Sequence, residues 1–172
     1  MNPYYNKTLF WSCATLSLLL VLFCAAGCSN KQQINLQQLV LTDLNGKPVN
    51  MQTLLEQNKP IFLNFWATWC PPCVKEKSTI EKARQALLEK GIDYQFVMIS
   101  DEQLETIKNY KNHHSYNFNY LHSTRTIKLY GVFTIPQTYI INPKGEIIHT
   151  HTNFNNWDSP ESLDLLTFWA TQ

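Results

Sequence analysis

Two cysteines, Cys70 and Cys73, bracket two prolines where the apolar run "FLNFWATWCPPCVKE" (residues 62–76) turns polar. If Pro71 is the first residue of a helix, Cys70 is its N-cap, and the sulfur sits beside unpaired backbone N–H groups at the positive end of the helix dipole. A thiolate is stabilised there. Cys-X-X-Cys pairs commonly hold one thiol well below the free value of about 8.5, which makes it ionised and nucleophilic at neutral pH. Cys73, three residues on, faces the same side of the helix and can close a disulfide. The prolines fix φ and need no N–H donors, because first-turn donors have no partner inside the helix. As a structural staple the pair would close too short a loop to remove much chain entropy, so a switch is the better use of it. A structural bridge or half of a zinc knuckle are the alternatives. The knuckle would need a second Cys pair or a His-X3-5-His, and the sequence downstream supplies neither.

The elements that would position these sulfurs follow from local pattern. Ile61 to Trp66 is apolar apart from Asn64, as suits a strand buried on both faces. The helix opened by Pro71 is expected to turn Val74, Ile80, Ala83, Leu87 and Leu88 inward, with Gly91 at its C-terminal cap. A strand over Tyr94 to Ser100 should lead into a helix with Ser100 and Gln103 at capping-box spacing and Leu104, Ile107 and Tyr110 along one side. That is a βαβ unit with a parallel sheet. Before it, Leu39 to Leu41 and Pro48 to Met51, joined across Asn45-Gly46, read as a hairpin, and Asn50 can cap a short helix through Gln57. After it come a short strand near Phe118 to Leu121 and a helical turn near Thr126 to Tyr130. Thr138 to Ile141 and Glu146 to Thr150 flank the turn Asn142-Pro143-Lys144-Gly145, an antiparallel hairpin. Ser159 and Pro160 then start a closing helix through Leu163, Leu166 and Trp169. A βαβ half followed by a ββα half is the outline of the thioredoxin fold, here α/β around a mixed central sheet with an added N-terminal hairpin.

The chain has 172 residues, 44% hydrophobic and 13% aromatic, enough to bury the core of one domain. Its net charge is +1, with no basic block, which argues against a nucleic-acid-binding face. Of five cysteines, Cys13, Cys24 and Cys28 fall in the first thirty residues, so the body is no multi-disulfide scaffold. Residues 1–28 read as a targeting segment: Lys7 supplies positive charge, Leu16 to Ala26 is apolar, and small residues follow. Ala26-Gly27-Cys28 resembles the end of a bacterial lipobox, in which Cys28 would carry lipid, although Ala25 stands where an aliphatic residue is usual. The other reading is an uncleaved anchor helix, since Thr8 to Gly27 is long enough to cross a bilayer. Either places the body outside the cytoplasm, tethered to a membrane. Residues 29–35 form a polar tether and 36–172 the folded domain.

Asn64 to Cys73, together with Pro136 and the following "QTYIINPKGEI", closely resembles the TlpA/ResA-type branch of the thioredoxin superfamily over nearly all of residues 36–170. That resemblance implies an extracytoplasmic, membrane-tethered thiol-disulfide oxidoreductase that uses a redox-active disulfide and no other cofactor or metal. It also implies partner proteins bearing disulfides or dithiols, apocytochrome c among them, and a transmembrane thiol reductase as electron donor. By position, Cys70 is the attacking cysteine and Cys73 the resolving one. Glu76 matches an acidic residue that exchanges protons near the thiols. Ile135 and cis-Pro136 match the loop that binds the partner's backbone, with Trp69, Pro71 and Pro72 at the rim. Several residues depart from the family pattern: Ser78 replaces a proline, Thr134 a glycine, Gln137 a threonine, and His122-Ser123 stands where an aspartate is frequent. Asn64 occupies the place of a buried acid, which leaves deprotonation of Cys73 to Glu76 or water.

Other assignments compete with these. Glu76 could be a solvated helix residue and Pro136 a trans loop proline. Trp66 and Trp69 suit core and rim packing. His149 and His151 share a strand face and could bind metal, though an exposed edge is the commoner explanation, and His113-His114 suits a polar loop. Two other function classes remain open at this point. One is a copper-handling protein on the same fold, whose usual motif has three residues between the cysteines; the other is a non-catalytic interaction module.

Overall fold

A computed structural model describes residues 34–172. Cys28, the expected lipobox or anchor in residues 1–28 and most of the expected tether lie outside the described residues. Ile34 and Asn35, at the end of that tether, already belong to the fold: Ile34 is buried with Leu36, Met51 and Leu54, and Asn35 caps a 3-10 turn over Leu36–Gln38.

Seven strands form one mixed sheet: β1 (Leu41–Thr42), β2 (Pro48–Val49), β3 (Ile61–Phe65), β4 (Gln95–Ser100), β5 (Asn119–Ser123), β6 (Gln137–Ile141) and β7 (Ile147–Thr152). Their order is β2-β1-β5-β4-β3-β6-β7. The β3–β4 and β4–β5 pairs are parallel and the other four antiparallel. Four helices connect or close them: α1 (Met51–Leu55), α2 (Pro71–Glu89), α3 (Leu104–Asn112) and α4 (Pro160–Trp169). The core is double. Every residue of β3 is buried; Phe62, Asn64 and Trp66 alternate with Ile61, Leu63 and Phe65, so the two sets enter opposite faces of the sheet. On one face Phe62 and Trp66 pack with Ile80, Ala83 and Leu87 of α2 and Leu166 of α4, and on the other Leu63 and Phe65 pack with Leu54 of α1.

Where elements differ from the local pattern, tertiary contacts decide. The inward face of α2 carries Cys73, Glu76, Lys77, Ile80, Ala83 and Leu87, whereas Val74 is half-buried and Leu88 is exposed. The expected stripe thus took in two apolar residues at its flanks and missed two charged ones at its centre. The expected capping box does not form: Ser100 is still strand, paired with His122, and its hydroxyl accepts from the Glu102 N–H. Gln103 caps α3 without a side-chain hydrogen bond. At the other end of α3 the rings of His113 and His114 each bond through Nδ1 to a last-turn carbonyl oxygen, those of Asn109 and Tyr110, at 2.7 Å.

Gly91 ends α2 at φ +77°, with the Ile92 N–H donating to Leu87 and its own N–H to Leu88, a Schellman closure. An added Cβ there would meet nothing within 4 Å, so Gly91→Ala costs only the left-handed backbone term, about 1–2 kcal/mol. Urea unfolding should read a stability loss of that size as a lower midpoint with an unchanged slope.

Candidate active site

The two sulfurs lie where the sequence puts them. Cys70 is the N-cap of α2, Pro71 its first residue, and Cys70 and Cys73 are joined in a disulfide with Cα atoms 5.3 Å apart. The Cys73 backbone N–H donates to the Cys70 sulfur at 3.3 Å, so an unpaired donor of the first turn is already aimed at that sulfur. Both cysteines are buried, while Pro71 and Pro72 are exposed beside them and Trp69 is 71% exposed. Trp66, by contrast, is wholly in the core.

The opposite wall of the site is the loop before β6. The Ile135–Pro136 peptide bond is cis, and the Ile135 carbonyl oxygen lies 3.9 Å from the Cys70 sulfur. Pro136 is buried and Ile135 half-buried. In the same loop Phe133 is 74% exposed. A half-buried carboxylate fixes the segment that carries Trp69: Glu102 accepts from the backbone N–H and the hydroxyl of Thr68, each at 2.7 Å, and from the Ser100 hydroxyl. Nothing in the local sequence marks Glu102 as a support of the site, because the Thr68 groups it holds lie 34 residues away.

Glu76 is fully buried. One carboxylate oxygen accepts from the indole N–H of Trp157 and from the Asn155 backbone N–H, and the other accepts from the Asn64 amide at 3.4 Å. Asn64 also donates to the Thr138 hydroxyl at 3.0 Å, which ties β3, α2 and β6 into one polar network. Burial pushes the Glu76 carboxyl up to about 7, against hydrogen bonds from Trp157, Asn155 and Asn64 and the charge of Lys77, all of which favour the ionised form. A carboxyl so placed can accept or release a proton at neutral pH. The Trp157→Phe variant loses the indole donor, so the Glu76 carboxyl should titrate above 7, as followed by carboxyl carbon NMR. Above that pH the lost bond to an ionised group should cost about 1.5–3 kcal/mol in urea unfolding.

His149 and His151 share a face of β7, and each packs on an aromatic partner: His149 stacks on Trp169 at 4.2 Å, and His151 lies edge-on to Trp157 at 5.6 Å. Among the described residues no group of three or more His, Cys, Asp or Glu is placed to hold a metal ion. A surface cleft lined by Leu54, Arg84, Ile92 and Phe118 lies by the starts of β4 and β5, at the far end of the sheet from the dithiol.

Comparison with known proteins agrees with the geometry. The AhpC/TSA family model matches residues 33–150. The thiol-disulfide oxidoreductase ResA of Bacillus subtilis is 30% identical over 148 residues, covering 78% of this chain and 81% of that one. The ResA of Halalkalibacterium halodurans is 32% identical over 126 residues, 72% of this chain and 68% of its own. The crystal structure of StoA from Bacillus subtilis superimposes with a TM-score of 0.56 at 22% identity, over 77% of this chain and 95% of the other, and shares the fold. The chain therefore belongs to the AhpC/TSA family as a ResA-type, thioredoxin-like thiol-disulfide oxidoreductase, an enzyme of disulfide exchange.

Proposed function

We propose that Cys70 and Cys73 are the exchanging dithiol, with Cys70 the attacking sulfur. The observation that carries this is the seat of Cys70 at the tip of α2, with a backbone N–H directed at its sulfur and the cis-proline loop against it. In the reducing direction the Cys70 thiolate attacks one sulfur of a partner disulfide, and the other partner sulfur leaves as a thiolate and takes a proton. Cys73 then gives up its proton, attacks the Cys70 sulfur and releases the reduced partner, regenerating the Cys70–Cys73 disulfide. Glu76, one helical turn from Cys73, takes that proton, a role supported by its burial and near-neutral titration. Asn64 joins Glu76 in the same network instead of replacing it as an acid.

The rim formed by Trp69, Pro71, Pro72, Ile135 and Pro136 binds the partner's backbone and side chains around its disulfide. The chain acts as a reductase on the extracytoplasmic side of a membrane. Residues 1–28 deliver it there, Cys28 carries the lipid, and residues 29–33 tether the domain. Electrons arrive from a transmembrane thiol reductase, and apocytochrome c is a fitting partner. Alkylation rates against pH test the central claim. Cys70 should react with an apparent pKa well below the free value of about 8.5, whereas Cys73 should not. Two thiols that both stay protonated into alkaline solution would contradict it. Mass spectrometry of the mature amino terminus tests the lipid: an intact Lys7 peptide would exclude it.

A further inference from the structure

Lys77 stands out in the core. Its side chain is wholly buried, its Nζ has no hydrogen-bond partner, and the amine lies 3.7 Å from the ring centroid of Trp66 and 5.7 Å from that of Tyr120. Ring faces attract a cation, yet they replace only part of the hydration an ammonium loses on burial. The neutral amine is therefore favoured, and its pKa is held well below the usual lysine value by burial, against the charge of Glu76.

The reaction creates an anion at the N-terminal tip of the helix that carries Lys77. Lys77 follows Cys73 by four residues, on the same side of α2 and one turn along, and Cys70, Cys73, Trp66 and Tyr120 all belong to one buried cluster. The Glu76 carboxylate is bonded elsewhere, to Trp157, Asn155 and Asn64. The other titratable groups around the aromatic cluster are Glu81 on α2, Tyr110 and its stacked neighbour His114 at the end of α3, Tyr116 in the loop beyond, and Tyr120 on β5. Glu81 is bonded to Arg84, Gln85 and the Asn117 N–H. The Tyr110 and Tyr120 hydroxyls have no partner.

We propose that Lys77 is the charge-balancing residue of the dithiol, taking up a proton when the disulfide is reduced and releasing it on reoxidation. This rests on the disulfide-exchange function of Cys70 and Cys73. A partner dithiol meets the Cys70–Cys73 disulfide and the neutral Lys77 amine. The products are a partner disulfide, a Cys70 thiolate, a Cys73 thiol and a Lys77 ammonium. One S–S bond breaks and one forms; the partner's two electrons and two protons are all accounted for, and no proton leaves for solvent. The faces of Trp66 and Tyr120 give the ammonium its seat, and the thiolate gives it its counter-charge.

The test is the equilibrium of the full-length chain with dithiothreitol, itself a two-electron, two-proton couple, between the Cys70 pKa and about pH 8, where a free thiol stays mostly protonated. The wild-type constant should be flat with pH. In Lys77→Met, which keeps the shape and removes the amine, reduction releases one proton and the constant should rise tenfold per pH unit, about 30 mV. Equal slopes in the two proteins would overturn the proposal. So would a slope that appears in Glu76→Gln but not in Lys77→Met, because the proton would then belong to Glu76. The Cε carbon shift of Lys77 in lysine-labelled protein reads the same event directly: it should move to the ammonium position on reduction, and an unchanged shift would overturn the proposal. A disulfide that dithiothreitol cannot open would overturn disulfide exchange itself, an outcome told apart by the mass of the alkylated protein.

Discussion

Insulin reduction by the Cys70→Ser variant should fall to the uncatalysed rate with dithiothreitol, because no other thiol of the folded domain replaces the attacking sulfur. The Cys73→Ser variant should lose turnover as completely but fail differently. Its Cys70 thiolate can still open a partner disulfide, and without a resolving sulfur the mixed disulfide persists. Non-reducing gels should show Cys73→Ser, and not Cys70→Ser, in covalent adducts that dithiothreitol releases. Both sulfurs are buried, so the asymmetry follows from the direction of the helix. Cys70 is the N-cap, receives the Cys73 N–H and lies against Ile135 at the rim, whereas Cys73 sits inside the first turn. Activity unchanged by either substitution would remove the exchange chemistry from this pair. Adducts through Cys73 in the Cys70→Ser protein would reverse the assignment.

The chemistry of the site was legible in sequence to the extent that it is local. A proline at the first helical position, a sulfur before it and a sulfur three residues later specify the N-cap geometry with no long-range information. The same holds for the Gly91 closure and for Ser159 capping α4 through the Ser162 N–H. What the sequence hid is the set of partners that give the site its electrostatics. The resemblance marked Glu76 as a residue near the thiols, but local pattern put Val74 and Leu88 on the inward stripe and left Glu76 and Lys77 off it. Their burial comes from distant chain: Trp157 and Asn155 from the segment before α4, Asn64 from β3, Trp66 and Tyr120 from the sheet. Ser100 shows the same competition, since pairing with His122 in the parallel sheet outweighs its preference for a helix cap.

Replacing Glu76 by glutamine should change the pH dependence of stability strongly. The folded carboxyl titrates near 7 and the unfolded one near 4.5. Between those values the native state holds a proton that the unfolded chain has already released, so stability falls as pH rises from 4.5 through 7. At 1.36 kcal/mol per pKa unit the carboxyl removes about 3 kcal/mol across that window. Lys77 works in the opposite sense: its folded pKa is depressed, the unfolded chain binds the extra proton, and its contribution is lost as pH falls below 10.5. The wild-type curve mixes the two, whereas the difference between Glu76→Gln and wild type isolates the carboxyl. That difference should grow in favour of the variant by about 3 kcal/mol from pH 4.5 to above 7, read by urea unfolding with the disulfide intact. Glutamine suits the site because its oxygen still accepts from Trp157 and Asn155, and a flipped Asn64 amide can accept from its nitrogen while receiving the Thr138 hydroxyl. Parallel curves for the two proteins would mean that the carboxyl reaches water, and with that the case for Glu76 as the proton carrier of the dithiol would fall.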